Sequence, residues 1–321
     1  MESETQMSQN AKQPDVTVLV PAFNERENIP ELVDELCAMF DRHQLAGEIV
    51  LVDDGSTDGT FEAASEIAAT EPRLRVFRHR ANMGKAEAMA TGNAQARANR
   101  VVLYDADMQH SPEDIPRFLA RMDEGYDIVC GRKVGNYTKK FVSGIYNWLS
   151  RRLFKVPVRD LNSMKSFVRQ ALAETSLRHD WHRFFVVLAF NKGYTVGEID
   201  IELLPRRHGE SKYSGSWRAV VGLLDLVSVK FLISFGRKPM TLFGSGGLFL
   251  LGLGFVTGCV SLYLRFVLYQ GYRPMLYLVI LLLLGGIVLF TLGFITELLG
   301  QLFDRLDRIE ERLRTDRELD D

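Results

Sequence analysis

The sequence is poor in cysteine and in net charge, and each shortage excludes a class of protein. Its three cysteines, Cys37, Cys130 and Cys259, lie far apart among 321 residues, with no CxxC pair. Neither a structural zinc site nor a disulfide framework is therefore predicted, which fits a reducing compartment. The formal net charge is only −2, so nothing attracts nucleic acid electrostatically and we expect no nucleic-acid partner.

Three sequence signals of other protein classes are also missing. Residues 1–15 are polar and lack the apolar stretch of a signal peptide, so we expect a disordered N-terminus and no export of the domain behind it. No Walker A sequence and no GxGxxG follows the first predicted strand, which disfavours P-loop and dinucleotide-binding folds.

Long uncharged runs are present near the C-terminus. Residues 239–264 are 26 consecutive uncharged positions, and residues 274–296 are 23 more. A helix of about 20 apolar residues crosses a bilayer. We predict a membrane segment over 239–298, with two transmembrane helices at about 241–264 and 274–296.

The two predicted spans form a hairpin, which returns the C-terminus to the side of the N-terminal domain. Without a signal peptide this side is the cytoplasmic face, and a bacterial or archaeal inner membrane is expected. Basic residues outside both spans agree with this orientation, whereas Arg265 and Arg273 in the turn oppose it.

Amphipathic segments flank the predicted spans. Charges interrupt the apolar residues of 216–238, which is typical of an interfacial helix. The tail 299–321 is typical of either a self-associating coil or an amphipathic helix packed on its own domain. Its apolar residues recur at spacings of three and four: Leu299, Leu302, Leu306, Ile309 and Leu313. This stripe, with the GxxxG pair Gly254 and Gly258, predicts a homo-oligomer.

The region 16–215 alternates between β-branched runs and helical segments. Nearly continuous apolar strands that alternate with helices predict an α/β fold, with a mostly parallel sheet covered on both faces. Strands are predicted at 16–20, 48–52, 74–77, 100–104 and 127–130, and helices at 28–42, 58–69, 84–98 and 112–123.

Polar motifs follow three of these strands. PAFNE (21–25) follows the first, DDGSTDGT (53–60) the second and DADMQH (105–110) the fourth. Ligands of parallel sheets bind beyond the carboxyl ends of the strands, so the motifs predict a shared site. Taken alone, each motif is equally compatible with an ordinary turn or helix cap.

Oxygen ligands are concentrated in the third motif. Asp105 and Asp107 are separated by one residue, and Gln109 adds an amide oxygen at the next alternate position. Mg²⁺ and Mn²⁺ prefer such ligands and commonly share them with substrate phosphates. The alternative is a pair of turn or capping aspartates.

A basic run follows the fifth predicted strand. Residues 132–165 contain nine Lys or Arg residues and one acid, Asp160, with aromatic and leucine side chains interleaved. Such a segment fits an anionic membrane surface or a phosphate pocket better than a solvated helix face, because two predicted spans follow it.

Together the motifs resemble those of family 2 glycosyltransferases with the GT-A fold. The resemblance rests on PAFNE, VDDGSTDGT, NMGKAEAMATG and DADMQHSPED. The segments VRDLNSMKSFVR, WHRFF and RRHGESKYS and the two predicted spans are similar to the polyprenyl-phosphate glycosyltransferases. That group includes dolichyl-phosphate mannose synthases and bacterial polyprenyl-phosphate glucosyltransferases.

The resemblance implies an inverting enzyme that moves a sugar from a nucleotide donor to undecaprenyl or dolichyl phosphate. It implies that Mg²⁺ or Mn²⁺ is held by Asp105, Asp107 and Gln109, and that Asp107 and Asp160 are catalytic. UDP-glucose is the first expectation for the donor and GDP-mannose the second. The residues implied to contact the donor are Pro21, Ala22, Asn24, Glu25, Asp53, Asp54, Lys85, Asp105 and Ala106.

The acceptor side departs from the family pattern. We expect Arg132, Arg207 and Lys212 to hold the lipid phosphate, and Asp160 to orient basic residues or the sugar. The family's Gly-Phe-Arg is here Ser163–Lys165, and its His-Arg before the basic loop is also replaced. A processive polysaccharide synthase and a non-catalytic membrane scaffold are the alternatives. The first lacks its QxxRW signature here, and the intact acidic motif argues against the second.

Overall fold

The computed structural model describes residues 13–134, 152–161, 163–175, 177, 181–205, 217–235, 238–271 and 273–320. The chain divides into two compact units, Met1–Leu223 and Leu224–Asp321. The predicted catalytic domain lies within the first unit, and both predicted spans lie within the second.

The first unit contains seven strands and six α-helices among its described residues. The strands are β1 (Val16–Ala22), β2 (Gly47–Asp53), β3 (Leu74–Arg78), β4 (Arg100–Leu103), β5 (Ile128–Val134), β6 (Lys165–Val168) and β7 (Val196–Glu202). The helices are α1 (Ile29–Arg42), α2 (Thr60–Ala68), α3 (Lys85–Gln95), α4 (Ile115–Asp123), α5 (Arg169–Ala173) and α6 (Phe185–Asn191). Two 3-10 turns, Pro112–Asp114 and Trp181–Phe184, precede α4 and α6.

All seven strands form one mixed sheet in the order β3-β2-β1-β4-β6-β5-β7. Strand β6 runs antiparallel to β4 and β5, and the other neighbours are parallel. Val18, Leu19 and Val20 of β1 are fully buried, because helices cover both faces of the central strands. The order and the antiparallel insertion give the GT-A fold.

The predicted elements 16–20 to 127–130 are confirmed within a few residues, but β6 and β7 were not predicted. Strand β6 has four residues and contains a buried lysine, Lys165. Strand β7 carries acids at alternate positions from Glu198 to Glu202. Neither has the apolar run by which the other strands are recognised.

Helix α7 (Trp217–Phe235) contains the position at which the two units divide. Helices α8 (Pro239–Phe266) and α9 (Arg273–Asp320) follow. By length and composition, Pro239–Phe266 and Arg273–Leu302 could each cross a membrane. The predicted tail is not a separate element, because α9 continues without interruption from the second span through residue 320.

Helices α8 and α9 pack against each other along glycines. A Cβ added to Gly247 would lie 2.6 Å from the backbone nitrogen of Phe290, and one added to Gly293 would lie 2.9 Å from that of Gly244. Such distances show close backbone approach between the two helices. Gly254 and Gly258 face α9 within the same chain, so this glycine face does not support the predicted homo-oligomer.

Candidate active site

The loops after β1, β2 and β4 lie at one edge of the sheet. Strand β1 pairs in parallel with both β2 and β4, so the three strands end on the same side. Ala22 is opposite Asp53 at the ends of β1 and β2. The amide of Tyr104, just after β4, donates to the Leu19 carbonyl at 2.9 Å. The three predicted motifs are therefore neighbours at the edge where α/β sheets bind ligands.

Hydrogen bonds join the first two motifs. Asn24 has a left-handed backbone conformation, with φ of 53°. Its amide donates to Ser56 Oγ at 2.8 Å, and its Oδ1 accepts from the Thr57 amide at 2.9 Å. The Glu25 amide donates to Thr60 Oγ1 at 2.9 Å. The short polar side chains of the motifs therefore hold the two loops against each other.

The residues implied to contact the nucleoside differ in what already surrounds them. Pro21 and Glu25 are partly buried, whereas Ala22 is buried. Glu25 Oε2 accepts from Asn28 Nδ2 at 2.6 Å. Asp53 is fully buried, and its Oδ1 accepts from the Ser56 amide at 3.1 Å. Its Oδ2 has no hydrogen bond, although Arg78 Nε lies 3.2 Å away. This oxygen is paired with the Arg78 guanidinium but accepts no hydrogen bond, so it can still accept one from a ligand.

Asp54 differs from Asp53 because protein groups occupy both of its oxygens. Oδ1 accepts from the Met83 amide at 2.8 Å, and Oδ2 accepts from the Gly84 amide at 2.8 Å. His79 Nδ1 also lies 2.8 Å from Oδ1. Asp54 thereby holds the segment before α3, and its Met83 and Gly84 contacts lie in the NMGKAEAMATG motif.

Lys85, the first residue of α3, forms an ion pair with Asp105. Desolvation opposes ionisation of Asp105, but the Lys85 ammonium outweighs it and holds the pKa of this carboxyl well below its usual range. Asp105 is therefore a carboxylate at neutral pH.

The acidic motif forms a tight turn after β4. Asp107 Oδ1 accepts from the Gln109 amide at 3.3 Å, and Met108 between them is buried with φ of 53°. The Gln109 carbonyl accepts from the Leu204 amide at 2.9 Å. A non-glycine residue in this conformation is a local cost that folded proteins concentrate at functional sites. Ala106 is buried within the turn.

The donor set of this turn fits a hard divalent cation that is shared with a ligand. In the part of the chain that the structure describes, no three His, Cys, Asp or Glu side chains group as a complete metal site. Mg²⁺ sites typically use one or two carboxylates, with substrate phosphates and water as the other ligands. Asp105 and Asp107 match that requirement, and Gln109 adds an amide oxygen.

The strands that sequence reasoning missed add a second group of charges. Lys165 at the start of β6 pairs with Leu103 of β4 and with Cys130 of β5. It is 3% exposed, and its Nζ donates to the Leu161 carbonyl at 3.1 Å. Burial lowers the pKa of Lys165. Asp160 is 5% exposed, with Lys133 Nζ 3.8 Å from its Oδ2.

The 3-10 turn before α6 contributes His182 and Arg183, which were not predicted as site residues. Burial lowers the pKa of His182 well below its ordinary value, and the nearby Lys85 and Lys165 add to this. His182 Nδ1 and Arg183 Nε are buried without hydrogen bonds. The WHRFF segment is visible in the sequence, but its approach to Asp105 follows from long-range folding that no local pattern reports.

Of the three residues predicted to hold the acceptor phosphate, the structure describes one, Arg132. Arg132 of β5 donates to both carboxylate oxygens of Asp200 on β7, at 2.5 Å each. This ion pair is partly exposed, and in it Asp200 occupies the guanidinium that was predicted to bind the acceptor phosphate. Arg207 and Lys212 lie outside the described residues.

The sheet order and the acidic turn after β4 define the class of the protein, a GT-A glycosyltransferase domain. The chain belongs to glycosyl transferase family 2, which residues 17–186 match. It is an enzyme of the glycosyltransferase class.

Relatives that align over nearly the whole chain include two sugar transferases. Dodecaprenyl-phosphate galacturonate synthase from Rhizobium johnstonii is 32% identical over 307 residues, which are 91% of this chain and 90% of the relative. Undecaprenyl-phosphate 4-deoxy-4-formamido-L-arabinose transferase from Pseudomonas aeruginosa is 30% identical over 295 residues, covering 90% of this chain and 86% of the relative. Both names specify a sugar and a polyprenyl phosphate.

Solved structures support the fold. Glucosyl-3-phosphoglycerate synthase from Mycobacterium tuberculosis, with Mn²⁺, UDP and glucosyl-3-phosphoglycerate, has a TM-score of 0.52 and 18% identity, covering 71% of this chain and 84% of the other. The complex of that enzyme with Mg²⁺ and UDP has a TM-score of 0.53 and 19% identity, with the same coverages. At these identities the likeness concerns the fold alone.

Proposed function

We propose that the protein transfers a sugar from a nucleotide donor to the phosphate of a membrane polyprenol. The reaction inverts the anomeric centre, so an α-linked donor gives a β-linked polyprenyl-phosphate sugar. The observation that carries the proposal is the contact of Lys85 with the Asp105–Gln109 turn, in a family 2 chain with two helices that could cross a bilayer. The relatives' polyprenyl-phosphate names support the acceptor class.

Asp105, Asp107 and Gln109 would hold Mg²⁺ or Mn²⁺. When bound, the cation neutralises charge on the departing nucleoside diphosphate. Lys85 adds a fixed positive charge beside the same turn. For the nucleoside we propose Pro21, Ala22, Asn24, Glu25 and Asp53, with Ala106 beside the diphosphate. Asp53 is the best supported of these, because its Oδ2 accepts no hydrogen bond, although it pairs with Arg78.

The acceptor needs charge compensation more than it needs a base. A phosphate monoester has a second pKa of about 6, so it is mainly a dianion at neutral pH and already nucleophilic. Its repulsion from the donor diphosphate must be offset by cations. Lys133 and Lys165 serve this purpose together with the predicted Arg207 and Lys212, and the predicted Arg132 joins them only by releasing Asp200. Asp160 orients Lys133 rather than removing a proton.

The class of the donor and the identity of its sugar are two separate proposals. The proposed reaction requires only that the donor is a nucleotide-activated sugar. Within this class, UDP-glucose is our first expectation and GDP-mannose our second. The relatives are named for galacturonate and 4-deoxy-4-formamido-L-arabinose, so UDP-galacturonate and a UDP-linked formamido-arabinose belong in the same test panel.

The membrane assignment has three proposed parts. The two long apolar helices anchor the chain, and the catalytic unit acts at the cytoplasmic face of an inner membrane. We keep the proposal of a homo-oligomer on the apolar stripe of α9 alone, because the glycines of α8 face α9. Mass photometry in mild detergent tests it, and a single monomeric species would contradict it.

The transfer itself is tested with membranes containing the full chain, a panel of radiolabelled donors and extraction into organic solvent. We expect label in the lipid phase from one donor, lost with EDTA and in Asp107→Ala. Asp123→Ala is the matched control, because Asp123 is an exposed surface acid paired with Arg100, and such pairs contribute little.

The distribution of label separates the alternatives. Label in an insoluble polymer would indicate a processive synthase instead. No metal-dependent transfer from any donor, in membranes supplied with polyprenyl phosphate, would indicate the scaffold. Either outcome overturns the proposal.

A further inference from the structure

Asp53 and Asp54 are adjacent acids at the end of β2. The sequence predicted one role for both, contact with the donor, but their surroundings differ. Asp53 keeps an oxygen without a hydrogen bond. Asp54 is 4% exposed, and both of its oxygens accept from protein donors. A carboxylate whose acceptor sites are already filled by buried donors gains little from a ligand, and losing those donors is costly.

The Asp54 contacts converge on the start of α3. Its carboxylate accepts the amides of Met83 and Gly84, which directly precede Lys85. Gly84 has φ of 92° and no side chain, so it cannot cap the helix itself. A carboxylate at a helix N-terminus satisfies free amides and complements the helix dipole. Asp54 thus fixes the N-cap residue of α3 and the residue before it from about 30 residues away in sequence.

His79 extends this arrangement to the next turn of α3. Its Nδ1 is 2.8 Å from Asp54 Oδ1, and its Nε2 is 2.9 Å from Thr91 Oγ1. A carboxylate can only accept, so Nδ1 carries the hydrogen. Gly55, with φ of 72°, lets the loop approach closely, because a Cβ there would be 2.5 Å from the Ala81 carbonyl carbon.

We propose that Asp54, His79 and Thr91 form a positioning network that sets Lys85 against the acidic turn, and that Asp54 does not contact the donor. The network fixes both ends of the first two turns of α3, at Gly84 and at Thr91. Lys85 lies between them and pairs with Asp105. This inference deepens the proposed function, since the donor diphosphate is the group toward which Lys85 is set.

A double-mutant cycle on the purified full chain tests whether Asp54 acts through Lys85. Binding of UDP with Mn²⁺ is measured by calorimetry for Asp54→Asn, Lys85→Met and the double variant, with GDP and Mn²⁺ as the second probe. Loss of one hydrogen bond or charge contact weakens binding about 5–10-fold. We expect each single variant to show this loss and the double variant to be no weaker than Lys85→Met, because coupled residues are not additive.

The matched control is Asp123→Asn, which removes an exposed acid that pairs with Arg100 and is not part of the network. Combined with Lys85→Met, it should leave nucleotide binding as weak as in Lys85→Met alone, because Asp123 has no part in the site. If the effects of Asp54→Asn and Lys85→Met add, so that Asp54→Asn weakens nucleotide binding further in the Lys85→Met protein, the inference is overturned.

A second readout needs no ligand and no activity. Hydrogen exchange at the Met83 and Gly84 amides should accelerate at least about tenfold in Asp54→Asn. A smaller acceleration is expected in Thr91→Val, and none in Thr91→Ser, which keeps the hydroxyl. Unchanged exchange in both Asp54→Asn and Thr91→Val contradicts the network. If the wild-type chain binds neither nucleotide, the proposed function fails while the exchange result still decides on the network.

Discussion

At the scale of single residues, the groups around each aspartate give it a role of its own, although every one of them carries the same carboxylate. Asp53 has an oxygen without a hydrogen bond, Asp54 is saturated by amides, and Asp105 faces an ammonium. Asp160 is buried beside Lys133 in a segment that is otherwise basic. The residue identity supplies a carboxylate in every case, but the donors that fold around it decide what remains for a ligand.

Asp160→Asn tests the role of that buried acid. The substitution keeps the shape but removes the charge that orients Lys133, so we expect kcat to fall about 10–100-fold, in the range of a lost charged contact, with nearly unchanged binding of UDP and Mn²⁺. Steady-state transfer and nucleotide calorimetry separate the two effects. Asp123→Asn, which breaks an exposed pair with Arg100 outside the proposed site, is the control. Near-normal turnover of Asp160→Asn would exclude an essential role.

His182 should make the stability of the protein depend on pH. Burial lowers the pKa of His182, with Lys85, Lys165 and Arg183 adding to it and Asp105 opposing it. The unfolded chain therefore binds a proton at this histidine as the pH falls below about 6.5, whereas the folded chain binds it only at lower pH. The stability that neutral His182 contributes is thus complete above about pH 6.5 and is lost as the pH falls further. Between pH 7.5 and 5.5 we expect the Tm of the wild-type chain to fall by roughly 2–4 °C more than that of His182→Gln. Parallel thermal curves for the two proteins would show that His182 does not titrate in this way.

At the scale of elements, glycine decides how the two long helices pack. Gly244 lies against Gly293, and Gly258 lies against Val279. Residue numbers rise on one helix as they fall on the other, so α8 and α9 are antiparallel. The sequence shows the GxxxG pair but not its partner, because small residues permit close contact with any helix.

Gly247→Ala should destabilise this helix pair. Its new methyl group would lie 2.6 Å from the Phe290 nitrogen and 2.8 Å from the Gly286 carbonyl oxygen, and both are backbone atoms. Overpacking of this kind costs about 1–3 kcal/mol, so we expect a lower Tm in detergent. Gly246→Ala is the matched control, because no atom lies within 4 Å of its added Cβ, and alanine is the better helix former. Equal Tm values for the two variants would refute the packing.

The same scale shows what the sequence could not predict about the fold. Apolar runs were sufficient to find β1 to β5, although only Leu74 of β3 is buried. Strand β6 was hidden because its first residue is Lys165, and its place between β4 and β5 depends on pairings with Leu103 and Cys130. These partners are tens of residues away in sequence, and local periodicity does not report them. The motifs located the acidic turn, whereas the Lys165 and His182 side of the site required the tertiary structure.

At the scale of the whole molecule, the antiparallel packing of α8 and α9 determines where the chain ends must lie if both helices cross a bilayer. Two antiparallel spans place residues before α8 and residues after the second span on the same side, and the connecting turn on the other. The turn carries Arg265 and Arg273, which the charge rule would place in the cytoplasm. The basic residues before the first span and after the second favour the opposite orientation, which is the one we propose.

Cysteine labelling in intact bacterial cells decides between these orientations. In a chain with Cys37, Cys130 and Cys259 replaced by alanine, single cysteines are placed at three exposed positions: Thr70→Cys, Gln270→Cys and Gln301→Cys. We expect a membrane-impermeant maleimide to label only Gln270→Cys before lysis and all three afterwards, because the turn is then the only probed segment outside. Labelling of Thr70→Cys and Gln301→Cys but not Gln270→Cys in intact cells would reverse the orientation. Labelling of none of the three before lysis and of all three afterwards would show that the helices do not span, and the lipid acceptor would then have to reach a peripheral enzyme.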